Sequence, residues 1–409
     1  MKQTGKRLGL PYYASVEALF WMGFAGAIFL SAYLAEHGFS SAVVGTIMAV
    51  LDCVGVVSAA MMGNWSDKVN APRRIFMICA VGTAAVIALV PFGIRGHIGT
   101  VSLVFPLLFI WAIFGKPMSG LCDGWLLSVI DRDRSFSYGS IRYFGSISFA
   151  LMCIAYAWAA KQFGSQDIIF FLYAAMCVVL VLVCVFARGD DGAAASLEKG
   201  KRIGVRAVKG HYHLIVYLIC HCLTNLPMYC SITFLPFKLI ELTGSTASLG
   251  YVTAIRSLAE IPALVLSVYY IRKLTARRCL MLVMIGFAVV QMMFILSGSM
   301  AMIMATMILI GLTNGAFMAC QMRYVRSIAP PEAATSAITL CTSMALVSSV
   351  IGNFVGGLLV DRFGTIAYFL FAMGSALLAL IIFTVSVPVG KRIGKPLPDL
   401  SEREPADAR

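Results

Sequence analysis

Twelve stretches of this chain are each long and apolar enough to cross a lipid bilayer as a helix, and they leave room for little else. A crossing needs about 20 mostly apolar residues, at a rise of about 1.5 Å each. The windows fall near 11–34, 42–65, 75–93, 100–129, 138–160 and 168–187, then near 212–236, 249–271, 279–297, 301–322, 333–359 and 366–386. Inside hydrocarbon every backbone N–H and C=O must be satisfied within the segment, so a stretch of this length takes the helical form. Composition agrees. Of 409 residues, 60% are hydrophobic and 12% charged, against roughly 45–50% and 25% in soluble domains. The fold class is an all-α membrane protein with no large soluble domain.

The net charge is +13, but it is spread over short loops and is no nucleic-acid footprint. With the N-terminus placed inside, 25 of the 32 Lys and Arg fall in cytoplasmic segments. Four (Arg95, Lys161, Lys238 and Arg362) fall in outer loops. That asymmetry predicts both ends on the cytoplasmic side of the cell (inner) membrane. No cleavable signal is expected ahead of the first span, since no small-residue cleavage site precedes it. The stretch 188–211, RGDDGAAASLEKGKRIGVRAVKGH, bisects the spans and reads as a flexible cytoplasmic linker. The expected organisation is a six-helix bundle over 1–187, the linker 188–211, a second bundle over 212–389, and a disordered tail over 390–409. The twelve cysteines lie almost wholly in spans and read as small buried hydrophobes. His211, His213, Cys220, His221 and Cys222 cluster in sequence, but successive helix positions do not face one another. No metal or cofactor is expected.

Seven ionic residues interrupt the spans: Glu17, Asp52, Asp123, Glu260, Lys116, Arg142 and Arg256. Each costs about 2.5–3.5 kcal/mol at the bilayer centre, so all must pair or face a wet cavity. Asp123 and Arg142 lie at similar depths, and Glu17 near them. Lys116 sits near the midplane, too deep to snorkel, with Asp52 its natural partner by depth. Pro117 beside it is expected to kink the fourth span. Arg256 and Glu260 are i, i+4 on one helical face, as are His221 and Asn225. Each pair reads either as a cavity group or as a static bridge between helices. His221 reads as a packing group or a proton carrier. A buried Glu260 carboxyl has the character a proton carrier needs.

The halves echo each other. GNWSDKVNAPRR (63–74) and SVYYIRKLTARR (267–278) follow the second and eighth spans and end alike. Lys161-Gln162-Phe163-Gly164 and Asp361-Arg362-Phe363-Gly364 close the fifth and eleventh, 200 residues apart. Twelve spans, a 6+6 division and G-x-x-x-D-K…R-R (Gly63, Asp67, Lys68, Arg73, Arg74) resemble the major facilitator superfamily. The usual Gly before the basic pair is replaced by Ala71-Pro72. The resemblance implies two pseudo-symmetric six-helix bundles and a cytoplasmic gate at the motif. There Gly63 would allow close helix approach, and Asp67 would pair with a base or helix N-terminus of the other half. A purely topological basic loop is the alternative.

Tyr138-Gly139-Ser140-Ile141-Arg142-Tyr143-Phe144-Gly145-Ser146-Ile147-Ser148-Phe149 resembles the fifth span of the oligosaccharide, nucleoside and phenylpropionate proton symporters, the lactose-permease-like branch. That resemblance makes Asp123 and Arg142 a pair in or beside the substrate site. Glu260-Ile261-Pro262 resembles the acid-then-Pro stretch of the eighth span. The His and Glu that couple protons on the tenth span of lactose permease are absent from GLTNGAF (311–317). A proton would then use Glu260 or Asp123.

The functional expectation is a secondary active transporter working by alternating access, a proton-coupled symporter for uptake of a sugar, nucleoside or aromatic acid. Asp123, Arg142, Lys116, Asp52 and Glu17 would bind substrate. Glu260, Asp123, Arg256 and His221 would couple protons. The alternatives are a proton-coupled drug or metabolite exporter and, more remotely, a transporter-shaped receptor. The fifth span lacks the G-x-x-x-G-P of drug antiporters, and ARGDD (187–191) stands where facilitative sugar porters carry P-E-S-P-R. No nucleophile–base or metal constellation marks an enzyme. The expected partners are substrate, protons and lipid, with no nucleic acid, and the chain is expected to act as a monomer.

Overall fold

Each apolar window folds as a helix in the computed structural model, which describes residues 9–99, 101–130, 138–186, 211–329, 334–394 and 397. All twelve are long and apolar enough to cross a membrane. Helix 1 is Leu10–Glu36, helix 2 Ser41–Val69 and helix 3 Pro72–Gly93. Helix 5 is Tyr138–Phe163 and helix 6 Asp167–Phe186. Helices 7 to 9 are Tyr212–Thr243, Leu249–Lys273 and Ala276–Leu296. Helices 10 to 12 are Met300–Ile328, Ala334–Phe363 and Thr365–Arg392. Helix 4 comes in two pieces, Val104–Gly115 and Met118–Ile130. The break falls at Lys116-Pro117, because Pro117 has no N–H to return to the preceding turn and its ring crowds that turn's carbonyl. A short hairpin, β1 (His97–Ile98) with β2 (Val101–Ser102), joins helices 3 and 4.

Several spans run longer than their hydropathy suggests. Helix 2 continues to Val69, so most of the segment 63–74 read as loop is helical. Helix 7 continues to Thr243 and carries Lys238, which is buried rather than in an outer loop. Helix 12 runs to Arg392, into the stretch read as tail. Residues 187–210, most of the linker, and 398–409 of the tail lie outside the described residues.

The chain divides into two compact units: Met1–Glu198 with Leu239–Ser257, and Lys199–Lys238 with Leu258–Arg409. In the first, helix 1 packs on helices 5 and 6, helix 3 on helices 4 and 6, and helix 2 on helix 4. Its core joins Tyr13, Phe20, Phe76, Met118, Trp125, Ile141 and Leu180. Gly26 lets helix 1 approach helix 6, since a Cβ there would stand 3.0 Å from the Tyr173 side chain. The Leu239–Ser257 segment docks on this unit through Gly250, where a Cβ would fall 2.3 Å from the Cys153 carbonyl oxygen. Only a residue without a side chain permits that approach. In the second unit helix 9 packs on helices 10 and 12. Tyr217, Tyr324 and Phe383 meet edge to face or tilted in its core. Outward-facing Val57, Val81, Phe92, Trp158 and Leu182 are exposed, an apolar exterior of the kind lipid covers.

The two halves of the sequence repeat one plan at their helix ends. Helices 5 and 11 both end on a glycine with positive φ, Gly164 at +66° and Gly364 at +82°. Helices 1 and 7 end near Gly38 at +80° and Gly244 at +72°. In the left-handed region glycine carries no Cβ penalty, so each serves as a helix stop.

Candidate functional site

The helix 4 break sets the geometry of the first unit. Lys116 at the break sends its Nζ 2.5 Å from Oδ1 of Asp52 on helix 2. The lysine side chain is 30% exposed and the aspartate 10%. Gly55, one turn beyond Asp52, makes room for the lysine stem: a Cβ there would stand 2.9 Å from Lys116 Cβ. The ammonium also lies 6.0 Å from the Trp111 ring centroid, within cation–π range. The partnership expected from depth is thus a direct ion pair at mid-span.

Two turns into helix 1, Glu17 is fully buried. Its Oε1 accepts from Trp21 Nε1 at 2.8 Å, and its Oε2 accepts from Cys122 Sγ on helix 4 at 3.5 Å. Cys122 is the neighbour of Asp123, so Glu17 reaches the part of helix 4 that carries the second candidate acid. Asp123 is half-buried. The Arg142 side chain lies outside the described residues, and so does the expected Asp123–Arg142 pair.

In the second unit Glu260 on helix 8 accepts from Asn314 Nδ2 on helix 10 at 2.7 Å. The helices touch here: a Cβ on Gly315 would stand 2.6 Å from the Glu260 carbonyl oxygen. The stretch GLTNGAF, which lacks a His and a Glu, therefore still supplies a partner of the acid. His221 is buried on helix 7, its ring stacked at 5.5 Å on Phe317 and tilted at 5.7 Å to Tyr217. Its backbone carbonyl accepts from Asn225 Nδ2 at 2.7 Å. Arg256, one turn before Glu260 along helix 8, is half-buried and falls in the first unit. Among the described residues no group of three or more His, Cys, Asp or Glu is placed to hold a metal ion.

The five motif residues after helix 2 separate. Asp67 and Lys68 are exposed in the last turns of helix 2, and Arg74 is exposed at the start of helix 3. Arg73 is buried, and its Nη1 donates to the Cys184 carbonyl oxygen near the end of helix 6 at 3.0 Å. A cation at a helix C-terminus meets both the unsatisfied carbonyls and the negative end of the dipole. Gly63 does not make the expected close helix contact: a Cβ there would meet nothing within 4 Å.

Three contacts escaped the sequence reading. The Glu17–Trp21 bond carries an i, i+4 signal that could have exposed it. The Glu260–Asn314 and Arg73–Cys184 contacts join distant segments and carry no local signal. At the far end of the first unit from Arg73, Glu36 accepts from Thr246 N at 3.1 Å and from Thr246 Oγ1, while Gln166 Nε2 donates to that hydroxyl at 2.7 Å. These residues border a cavity of about 160 Å³, also lined by Phe29 and Lys161.

Twelve membrane-length helices, with an ion pair joining two of them at span depth, define a polytopic membrane protein. Residues 15–371 match the model of the MFS_1 like family, and the chain belongs to that family of major facilitator transporters. It is 24% identical over 373 residues to an uncharacterized transporter, YwbF, of Bacillus subtilis (strain 168), covering 88% of this chain and 89% of that one. It is 23% identical over 354 residues to a maltose permease of Geobacillus stearothermophilus, covering 85% and 86%. Among solved structures, a point mutant of the nucleoside transporter NupG superposes with a TM-score of 0.81 at 14% identity, covering 92% of this chain and 99% of that one. A bacterial homologue of the human lysosomal transporter Spinster gives 0.68 at 11% identity, covering 97% and 98%.

Proposed function

We propose that this chain is a proton-coupled symporter that takes up a small polar or aromatic solute by alternating access, with both termini in the cytoplasm of a cell whose inner membrane it spans. The observation that carries the reading is the Asp52–Lys116 pair. A mid-span ion pair whose lysine stays 30% exposed is the arrangement expected where water reaches the pair between helices. Lined by hydrophobic helices, that water is the interior of a carrier. Asp52, Lys116, Glu17, Asp123 and Arg142 form the substrate side of the site. Substrate hydroxyls or an anionic group compete for these charges and break the Asp123–Arg142 pair.

Glu260 is the leading proton carrier, with Asp123, Arg256 and His221 in the coupling set. Its bond from Asn314 holds the carboxylate, and protonation alters that bond as substrate binds. The gate lies at Asp67, Lys68 and Arg74, the exposed members of the helix 2–3 motif. The named substrates of relatives, maltose and nucleosides, make a sugar or a nucleoside the first solutes to test.

The test is uptake into proteoliposomes with an imposed inward proton gradient. Active accumulation that collapses with a protonophore supports symport. Accumulation driven by an outward-directed gradient of the solute's counter-ion, with no response to pH, contradicts it.

A further inference from the structure

Trp21 is oddly placed for a membrane tryptophan. Indoles gather at the bilayer interfaces, where a wet N–H and an apolar body are both accommodated. Trp21 instead stands in the middle of helix 1, within a span that runs from Leu10 to Glu36. It remains half-exposed although Phe20 beside it is buried. Its N–H is held by Oε1 of Glu17, one turn earlier, at 2.8 Å. A fully buried carboxylate is a costly group to spend on orienting a ring unless the orientation matters.

The surroundings say which way the ring faces. Glu17 reaches helix 4 at Cys122, and Trp21 meets Phe149 of helix 5 edge to face at 6.0 Å. The 17/21 face of helix 1 therefore lies over the seam between helices 4 and 5, the elements that carry Asp123 and Arg142. Phe20 and Phe24 brace the indole at 5.1 and 5.4 Å, also edge to face. The indole is fixed by its N–H and by three aromatic neighbours, one of them on helix 5. Its hydrogen-bonding atom is occupied, so what it offers a ligand is a π surface.

We propose that Trp21 is the ring-stacking residue of the substrate site and that Glu17, within that site, positions the indole. This rests on the symporter reading of the same site. It assigns the substrate a planar aromatic ring, as a nucleobase or an aryl acid carries. Stacking of such a ring on an aromatic side chain is worth roughly a factor of ten or more in affinity.

The test is binding to the purified full-length chain, with adenosine, 3-phenylpropionate and maltose as probes, measured calorimetrically. Adenosine or 3-phenylpropionate should bind and maltose should not, the winning probe naming the source of the ring. Trp21→Phe should stay within about threefold and Trp21→Met should lose roughly tenfold or more. Met keeps bulk and apolarity without a π face, so a folded protein is retained, and a melting curve checks it. Glu17→Ala should weaken binding and Glu17→Gln, whose carbonyl can still accept from the indole, should restore most of it. Binding of maltose alone, or Trp21→Met with unchanged affinity, overturns the proposal. If Asp123→Asn still loses the ligand in that case, only the stacking role falls; if it too binds normally, the site reading falls with it.

Discussion

Arg277 is the structural counterpart of Arg73. Arg73 Nη1 donates to the Cys184 carbonyl oxygen near the end of helix 6, and Arg277 Nη2 donates to the Phe383 carbonyl oxygen in the last third of helix 12, at 3.0 and 3.3 Å. Each links the start of the third helix of its half to the sixth. The repeat legible in the two Arg-Arg loops is thus a repeated hydrogen bond. The guanidinium of Arg277 also lies 5.5 Å from the Phe383 ring.

Removing either arginine should loosen its own half. Arg73→Ala and Arg277→Ala should each cost about 1.5–3 kcal/mol, the usual worth of a charge-assisted hydrogen bond. The exposed neighbours Arg74 and Arg278 should cost under about 0.5 kcal/mol. Thermal melting of the purified variants measures the difference.

At the helix 4 break the two charges should behave as a unit. Asp52→Asn or Lys116→Met alone takes this counter-charge from an ion at span depth and should lower stability by about 1–3 kcal/mol. The double variant should recover most of that loss while transport stays absent. A double-mutant cycle of melting temperature against uptake separates the two effects.

Glu260→Gln should fold, because a glutamine carbonyl still accepts from Asn314 Nδ2. It should keep exchange of solute across a membrane at equal pH and lose accumulation against a gradient. Counterflow and active uptake, measured side by side, make the comparison.

Gly250→Val should undock the Leu239–Ser257 segment from helix 5, since its Cβ would collide with the Cys153 carbonyl oxygen. A cost of about 1–3 kcal/mol is expected for such overpacking. Faster amide exchange over 245–257 and normal exchange in helix 12 would register it.

Much of this architecture is written in local sequence. Hydropathy finds all twelve spans because the hydrocarbon thickness sets a minimum apolar length for each crossing. Pro117 marks the break in helix 4 because a missing N–H acts at the position where it occurs. Asp52 and Lys116 find each other on paper because depth is one coordinate and a buried charge demands a partner. Depth does not give azimuth, however. Asn314 is one of many polar residues in helix 10, and only packing against helix 8 makes it a partner of Glu260. Arg73 reads like Arg74 in sequence, yet one is buried against helix 6 and the other exposed. Lys238 reads as an outer-loop cation because helix 7 continues past two prolines, Pro227 and Pro236, which in isolation argue for an earlier end.

On the proposed function, the Asp52–Lys116 pair borders a water-filled substrate path. That claim is tested most directly by Lys116→Cys combined with Asp52→Asn, in a background freed of the native cysteines, exposed to a charged, membrane-impermeant thiol reagent in membranes opened on both faces. The thiolate reacts only where water reaches it, so labelling at position 116 should be rapid, as it is at an exposed loop cysteine. No labelling at 116 under conditions that label that loop cysteine to completion would contradict the account.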